Sequence, residues 1–433
     1  MNTRNVIVSY RSIIEAYNKG QSRVNEGILQ GAKRLLASAE EEAAMHGELG
    51  RALRAIQDAE RHPGILVSVD HRYASLLQSH IAERAISQGL LQPVTGAAGQ
   101  ELVETKFDDR DLAGWIGSLF GWVRGIKKHD WIDPPEAPEP FDNQTQVGLL
   151  GDWGTGLYGA PVCSQSIEAE GDKYKLLIHI GDVYYAGQPS EVHDRFLDLW
   201  PKNPNAESRA LNSNHEMYSG GDGYFNETLV KFGQASSCFA LQNDFWLIVG
   251  LDTGYRESIF NQWNGGIENN QVDWLNKLID QAGGRKLVLL THHQPFTLLD
   301  PKLDNNMPEK LGEILTGQKI FLWYWGHEHR CVIYDQHPLH GYYGRCCGHS
   351  GYPYYRSDLG NAPQDPDFGD FRRIQGRPGV PGGLVLDGPN PYVTGHEDEY
   401  GTQGYMNLIF DGASLHEQTL RPDGSVIWDR KLA

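Results

Sequence analysis

The chain has 433 residues, 38 Lys plus Arg against 56 Asp plus Glu, a formal net charge of −18, 39% hydrophobic residues and 22% charged ones. That balance is globular usage and excludes wholesale disorder, and a prior of about 150 residues per domain allows two or three domains. The acidic surplus repels a phosphate backbone and excludes non-specific nucleic-acid binding, so any phosphate chemistry must draw positive charge from a local source.

In chain order, the first stretch reads as helical. Ile28, Leu35, Leu36, Ala39, Ala43, Leu49, Leu53 and Ile56 recur at three-, four- and seven-residue steps until Pro63-Gly64. Further helices are expected near Tyr73–Ile86 and around Trp115–Val123. The reading is an all-helical N-terminal domain over 1–130, whose apolar stripes pack a small core; any oligomer or protein partner would engage through this domain. Asp133-Pro134-Pro135-Glu136-Ala137-Pro138-Glu139-Pro140 cannot continue a helix, because each proline lacks a donor and disfavours helical angles before it. This places a linker over 131–146. From 147 to 433 short apolar runs end in glycine or polar clusters: Val147–Leu150, Leu176–Ile180, Phe245–Leu251, Leu287–Leu290 and Ile320–Trp325. They read as buried strands, with helices such as Val272–Ile279 between them and two more strands at Tyr405–Phe410 and Ser425–Arg430. The class is α/β or α+β with layered sheets.

No run approaches the roughly 18 uncharged apolar residues that span a bilayer, and the N-terminus lacks the apolar core of a leader. Neither a membrane location nor secretion is expected. Five scattered cysteines, with no dense even framework, fit a reducing cytoplasm.

Five strand-ending segments carry metal-ligand residue types: Gly151-Asp152-Trp153-Gly154, Gly181-Asp182-Val183-Tyr184-Tyr185, Asn212-Ser213-Asn214-His215-Glu216, Thr291-His292-His293, and Gly326-His327-Glu328-His329. Each alone is weak. Together, at the carboxyl ends of buried strands, their carboxylates, amide and imidazoles can converge on one crevice and suit hard or borderline first-row ions. Asp152, Asp182, Tyr185, Asn214, one of His292 and His293, His327 and His329 are seven side chains, too many for one ion. With Asp182 bridging, each of two ions receives four protein ligands and keeps open positions, which suits in-line displacement at phosphorus. His292, the first of the pair beyond the apolar strand, is favoured over His293.

This ordered set, GDxG, GDxxY, NHE, a histidine after an apolar strand and GHxH, resembles the calcineurin-like metallophosphoesterases and, within them, the purple acid phosphatase branch. The resemblance covers roughly residues 144–350. It implies two packed β-sheets flanked by helices, a four-layer sandwich with a dinuclear site at the strand ends. It assigns Asp152, Asp182, Tyr185 and His329 to the first metal, and Asp182, Asn214, His292 and His327 to the second. Gly154 stands where most relatives have a metal-binding histidine, and Tyr185 is the tyrosine of GDxxY; both point to the purple branch. A tyrosinate is a hard donor that stabilises iron(III), and the second metal is expected to be iron, zinc or manganese. Ser213 replaces the usual glycine before Asn214, and Tyr184 reads as structural.

The activity this implies is hydrolysis of phosphate monoesters on a small phosphorylated substrate, by attack of a metal-bound hydroxide. His215 is expected to donate to the phosphoryl group or protonate the leaving alkoxide, with Glu216 or a backbone group orienting its ring. Two alternatives remain open: a phosphodiesterase or nuclease with the same core, and a catalytically weak metal-binding scaffold that recruits partners through its helical domain.

Overall fold

The computed structural model describes residues 75, 76, 79, 91–105, 126–256, 265–299 and 306–433. The helices expected over 28–56 and 115–123, and most of 73–86, lie outside the described residues; Ser75, Leu76 and Ser79 are helical. Leu91–Thr95 (β1) and Glu101–Thr105 (β2) form an antiparallel hairpin, which departs from an all-helical reading of this region. The cause is local. Gly96 and Gly99 frame a tight loop in which Gly99 takes φ 79° and Gly96 N donates to Gln100 O at 2.8 Å.

The remaining strands are Glu139–Pro140 (β3), Gln144–Leu150 (β4), Leu176–His179 (β5), Glu207–Ala210 (β6), Phe239–Gln242 (β7), Trp246–Gly250 (β8), Lys286–Leu290 (β9), Ile320–Trp325 (β10), Cys331–Gln336 (β11), Tyr343–Cys347 (β12), Phe371–Ile374 (β13), Gly383–Leu386 (β14), Tyr405–Asp411 (β15), Ser414–Leu420 (β16) and Val426–Lys431 (β17). A six-stranded sheet runs β17-β16-β15-β4-β5-β6, and a nine-stranded sheet runs β13-β14-β11-β12-β10-β9-β8-β7-β3. Within them β4, β5 and β6 are parallel, as are β8, β9, β10 and β12. The site is flanked by helices Gly159–Ala169 (α1), Asn214–Tyr218 (α2) and Asn269–Gln281 (α3).

Alternation along each strand builds the layers. Trp246 and Ile248, Val288 and Leu290, and Leu322 and Tyr324 point between the sheets, where they meet Val147, Leu149, Leu176 and Ile178 of the smaller sheet. Their neighbours Leu247, Val249, Leu287, Leu289 and Trp323 point outward and are covered by Trp274, Leu275 and Leu278 of α3. On the opposite side, Ala160, Cys163 and Ile167 of α1 cover Leu150 and Leu177. Both faces of the central strands are therefore dry, which is why they read as continuous apolar runs.

The proline-rich segment is seated on the domain. Trp274 Nε1 donates to Pro135 O at 2.7 Å, Ser236 Oγ donates to Ile132 O at 3.1 Å, and Glu139–Pro140 pairs with β7 at the sheet edge, where a missing N–H costs least. All five cysteines are buried thiols. Among the described residues no helix is long and apolar enough to cross a membrane.

One ion pair ties the sheets together. Arg345 of β12 and Glu417 of β16 are 1% and 0% exposed and meet in the inter-sheet core, with Arg345 Nε 3.0 Å from each Glu417 oxygen and Tyr324 Oη donating to Oε1 at 2.5 Å. Removing one partner strands a buried charge. Glu417→Ala is expected to cost about 3–5 kcal/mol, read as a lower denaturant midpoint in urea unfolding; a loss under ~1 kcal/mol would show that water reaches the guanidinium.

Candidate metal centre

The carboxyl ends of β4, β5 and β6 carry Asp152, Asp182 and Asn214, and those of β9 and β10 carry His292 and the pair His327 and His329. Because these strands run parallel within each sheet, their ends open on one edge. The loops are stitched to each other. Asp152 N donates to Gly181 O at 3.0 Å, Gly154 N to Asp182 O at 3.1 Å, and Gly326 N to His292 O at 2.9 Å.

Of the five described non-glycine residues with positive φ, four are candidate ligands: Asp152 at 53°, Asp182 at 74°, His327 at 68° and His329 at 52°. Each such placement costs on the order of 1–3 kcal/mol and persists only where the surroundings enforce it, which is a mark of functional sites. Gly348 is part of the enforcement. A Cβ there would sit 2.3 Å from Asp152 Oδ2. Gly348→Ala is therefore expected to push Asp152 aside and weaken metal affinity about 10–100-fold, the usual cost of disturbing a ligand's support; metal titration against an unchanged circular dichroism spectrum checks it.

The donor atoms fall into two groups that share Asp182. In the first, His329 Nε2 lies 3.5 Å from Asp152 Oδ1 and 3.4 Å from Asp182 Oδ2. In the second, His292 Nε2 lies 3.2 Å from Asp182 Oδ1 and 3.0 Å from Asn214 Oδ1. Asn214 Nδ2 donates to Tyr218 Oη at 2.8 Å, which turns its oxygen inward, and His292 Nδ1–H donates to Ile180 O at 2.8 Å, which commits Nε2 to the site. Ligand atoms of His292, His293 and His327 lie within 4.8 Å of one another, as do those of Asp152, Asp182 and His292.

Both histidines of the pair thus reach the centre. His292 meets the carboxylate and the amide; His293 Nδ1 is 2.9 Å from Thr253 Oγ1, its ring is 4.5 Å from that of His327, and its buried Nε2 has no hydrogen-bond partner among the described residues.

Electrostatics favour a cation. Asp152 and Asp182 are fully buried, and burial together with Asp182 holds the Asp152 carboxyl well above the usual range. Burial works against the Asp182 carboxylate too, but His292, His215 and His329 outweigh it and hold that group well below the usual range. Burial also opposes a charge on His292, and Asp182, Asp152 and Glu216 overcome it, pushing the imidazole up to about 9. His293 is driven well below its usual value by burial, His327 and His292. The principal charges bearing on both aspartates are carboxylates and imidazoles. Metal ions satisfy such a donor set, and the unpartnered His293 nitrogen adds to the fit.

His215 and Glu216 stand beside this set on α2. The expectation that Glu216 or a backbone group orients the His215 ring resolves to the backbone: His215 Nδ1–H donates to Tyr185 O at 2.7 Å. Glu216 has another task. Its carboxylate accepts from Asp182 N at 3.2 Å and Val183 N at 3.3 Å and from the Ser213 hydroxyl, while Ser213 Oγ also lies 2.6 Å from Asp182 Oδ1. Burial and Asp182 push Glu216 up to about 7. Glu216 is thus a positioning residue for the Asp182 loop. The Ser-x-x-Glu spacing of Ser213 and Glu216, with Ser213 capping α2 through His215 N, was the available signal.

Tyr184 stands against the donor set. Its Oη lies 2.9 Å from His329 Nε2 and its ring stacks on His215 at 3.6 Å. Tyr185 instead offers its carbonyl to His215 and sets its ring 5.6 Å from the Arg195 guanidinium. Sequence reasoning also missed Tyr352, whose ring stacks on His329 at 3.8 Å, and Thr253. His193 lies on the surface and His179 packs among Trp153, Phe196 and Trp200.

Residues 145–331 match the family model of the calcineurin-like phosphoesterases. Over this segment the chain is similar to that family. Its strands β4, β5, β6, β9 and β10 supply every donor group described above. Among solved structures the chain is similar to the purple acid phosphatase PPD1 from seeds of yellow lupin (Lupinus luteus), with 13% identity and TM-score 0.47 over 68% of this chain and 55% of that one. It is also similar to GAP50, the anchor in the inner membrane complex of Plasmodium, with 12% identity and TM-score 0.44 over 66% and 88%, and to PhoD, with 12% identity and TM-score 0.42 over 69% and 73%. The chain spans just over half the length of the lupin protein. No curated protein matches its sequence.

Proposed function

We propose that this phosphoesterase domain hydrolyses small phosphate monoesters at a pair of metal ions. The observation that carries the reading is the two donor groups joined through separate oxygens of Asp182, with His215 beside them. Asp152, Asp182 and His329 would hold the first ion, and Asp182, Asn214, His292 and His327 the second, with iron(III) at the phenol-bearing position and iron, zinc or manganese at the other. Such ions lower the pKa of water and neutralise phosphoryl oxygens. The protein's own part is positioning and proton transfer. The Tyr185 carbonyl keeps the proton of His215 on Nδ1 in the neutral ring, so protonated His215 gives the leaving oxygen its proton from Nε2. The stacked Tyr184 ring limits the tilt of this imidazole.

Gly154, in the place of a ligand histidine, and a phenol within the first donor group support monoesters over diesters, following the purple acid phosphatase pattern. Five buried thiols support a reducing, cytoplasmic setting. The N-terminal region over 1–130 is proposed to engage an oligomer or protein partner. Purified protein with its metal content measured should cleave an aryl phosphate monoester at least ~10-fold faster than the matching diester, a difference of about 1.4 kcal/mol in barrier. Preference for the diester would assign a phosphodiesterase, and metal-loaded protein inert to both would assign a scaffold.

A further inference from the structure

We infer that Leu76 is a positioning residue for the second cation, because it backs the Tyr218 ring whose hydroxyl orients Asn214. This rests on the two-cation reading above. The two ends of an asparagine amide have almost the same shape, so only a partner decides which end faces a metal. Here the partner is Tyr218, whose Oη accepts from Asn214 Nδ2 at 2.8 Å and leaves Oδ1 3.0 Å from His292 Nε2. The helix α2 that carries both side chains spans only Asn214–Tyr218, too few residues to hold itself by its own hydrogen bonds. Its far end must be fixed from outside.

The fixing contacts come from the chain before residue 130. Leu76 and Ala186 are fully buried and form one apolar cluster with the Tyr218 ring, and Ile126 packs against it. Just past Tyr218, His129 N donates to Gly220 O at 2.8 Å, and a Cβ at Gly220, whose φ is 95°, would sit 2.3 Å from Lys127 O. Residues 126–129 thus hold the backbone at the end of α2, while Leu76 closes on the ring. The β1–β2 hairpin seats on the loop that follows Asp152: Ala97 N donates to Leu157 O at 2.8 Å and Gln100 Nε2 to Gly156 O at 2.6 Å. These parts of the N-terminal region therefore have the metal-bearing loops as their partner. Truncating Leu76 leaves a void beside the ring, which lets the phenol move away from Nδ2 and the amide turn its NH2 toward the cation.

The test is calorimetric titration of zinc into metal-free full-length protein, with a circular dichroism spectrum of each variant. Wild type should bind two zinc ions. Tyr218→Phe keeps the ring and removes only the hydroxyl, and should weaken one of the two affinities about 10–100-fold, the usual cost of losing a ligand's support. Leu76→Ala should weaken the same affinity about 10-fold, the lower end of that range, while Leu76→Met, which keeps the volume, should bind as wild type does. In the Tyr218→Phe background Leu76→Ala should cost no further affinity, since both changes remove one hydrogen bond. Leu76→Val carries the same test if the alanine variant does not fold. Two bound ions with unaltered affinities in Tyr218→Phe overturn the assignment. A Leu76→Ala loss that adds in full to that of Tyr218→Phe, or that falls equally on both ions, also overturns it and makes Leu76 a packing residue only. The expected pattern on protein that cleaves no phosphate ester upholds the positioning role and overturns the hydrolase reading instead. Wild type that binds a single ion overturns the two-cation reading and the assignment together.

Discussion

Replacing His215 by alanine is expected to lower turnover on an aryl phosphate about 10²–10⁴-fold, the range for loss of a general acid, with both metals still bound. His215 is fully buried, its Nδ1–H donates to a backbone carbonyl and its ring stacks on Tyr184, so its removal should leave Asp182, Asn214 and His292 in place. The stack and the bond fix a ring in one orientation and tautomer, which is what a proton donor needs. Metal analysis beside steady-state kinetics separates the outcomes. If His215→Ala loses metal in proportion to activity, with turnover per loaded site unaltered, the imidazole is a structural support and the proton comes from elsewhere. A leaving group of low pKa should recover part of the loss, since it needs little protonation to depart.

Asp182→Asn should be more damaging, because one residue serves both donor groups. Oδ1 faces His292 at 3.2 Å and Oδ2 faces His329 at 3.4 Å, and the Ser213 hydroxyl sits 2.6 Å from Oδ1. An amide offers one oxygen and no net charge, so it cannot bridge two cations. With metal-derived charge stabilisation worth several kcal/mol, turnover should fall on the order of 10³-fold or more, and metal content should drop from two ions per chain to one or none. Retention of two ions at wild-type affinity would show that the cations are held independently and that Asp182 is no bridge. His292, His215 and His329 hold the buried Asp182 carboxylate charged, so the metal-free variant loses that pairing and should unfold at lower urea than metal-free wild type.

Much of the fold was legible because its central strands are buried on both faces. The runs at 147–150, 176–180, 245–251, 287–290 and 320–325 lie within one or two residues of β4, β5, β8, β9 and β10 at all but the first residues of β4. β16 was hidden because its inward positions include Glu417 and Thr419, whose burial depends on Arg345, Tyr324 and other partners far away in sequence. The hairpin β1–β2 sat in a stretch read for helical periodicity, where two glycines closing a loop counted for more. The expected helices before residue 75 lie outside the described residues.

The sequence by itself determined the donor types and their order, because carboxylate, amide and imidazole chemistry is written in residue identity and glycine spacing marks the strand ends. Which of those atoms meet was decided only by the tertiary structure. Left-handed backbone at Asp152, Asp182, His327 and His329, a carbonyl from Tyr185 and a phenol from Tyr184 all depend on how neighbouring loops lock together. Adjacent residues such as Tyr184 and Tyr185, or His292 and His293, carry the same functional group, so spacing alone cannot distinguish them; the turn that directs each side chain is set by contacts more than 100 residues away, such as His292 with Ile180 and Tyr184 with His329.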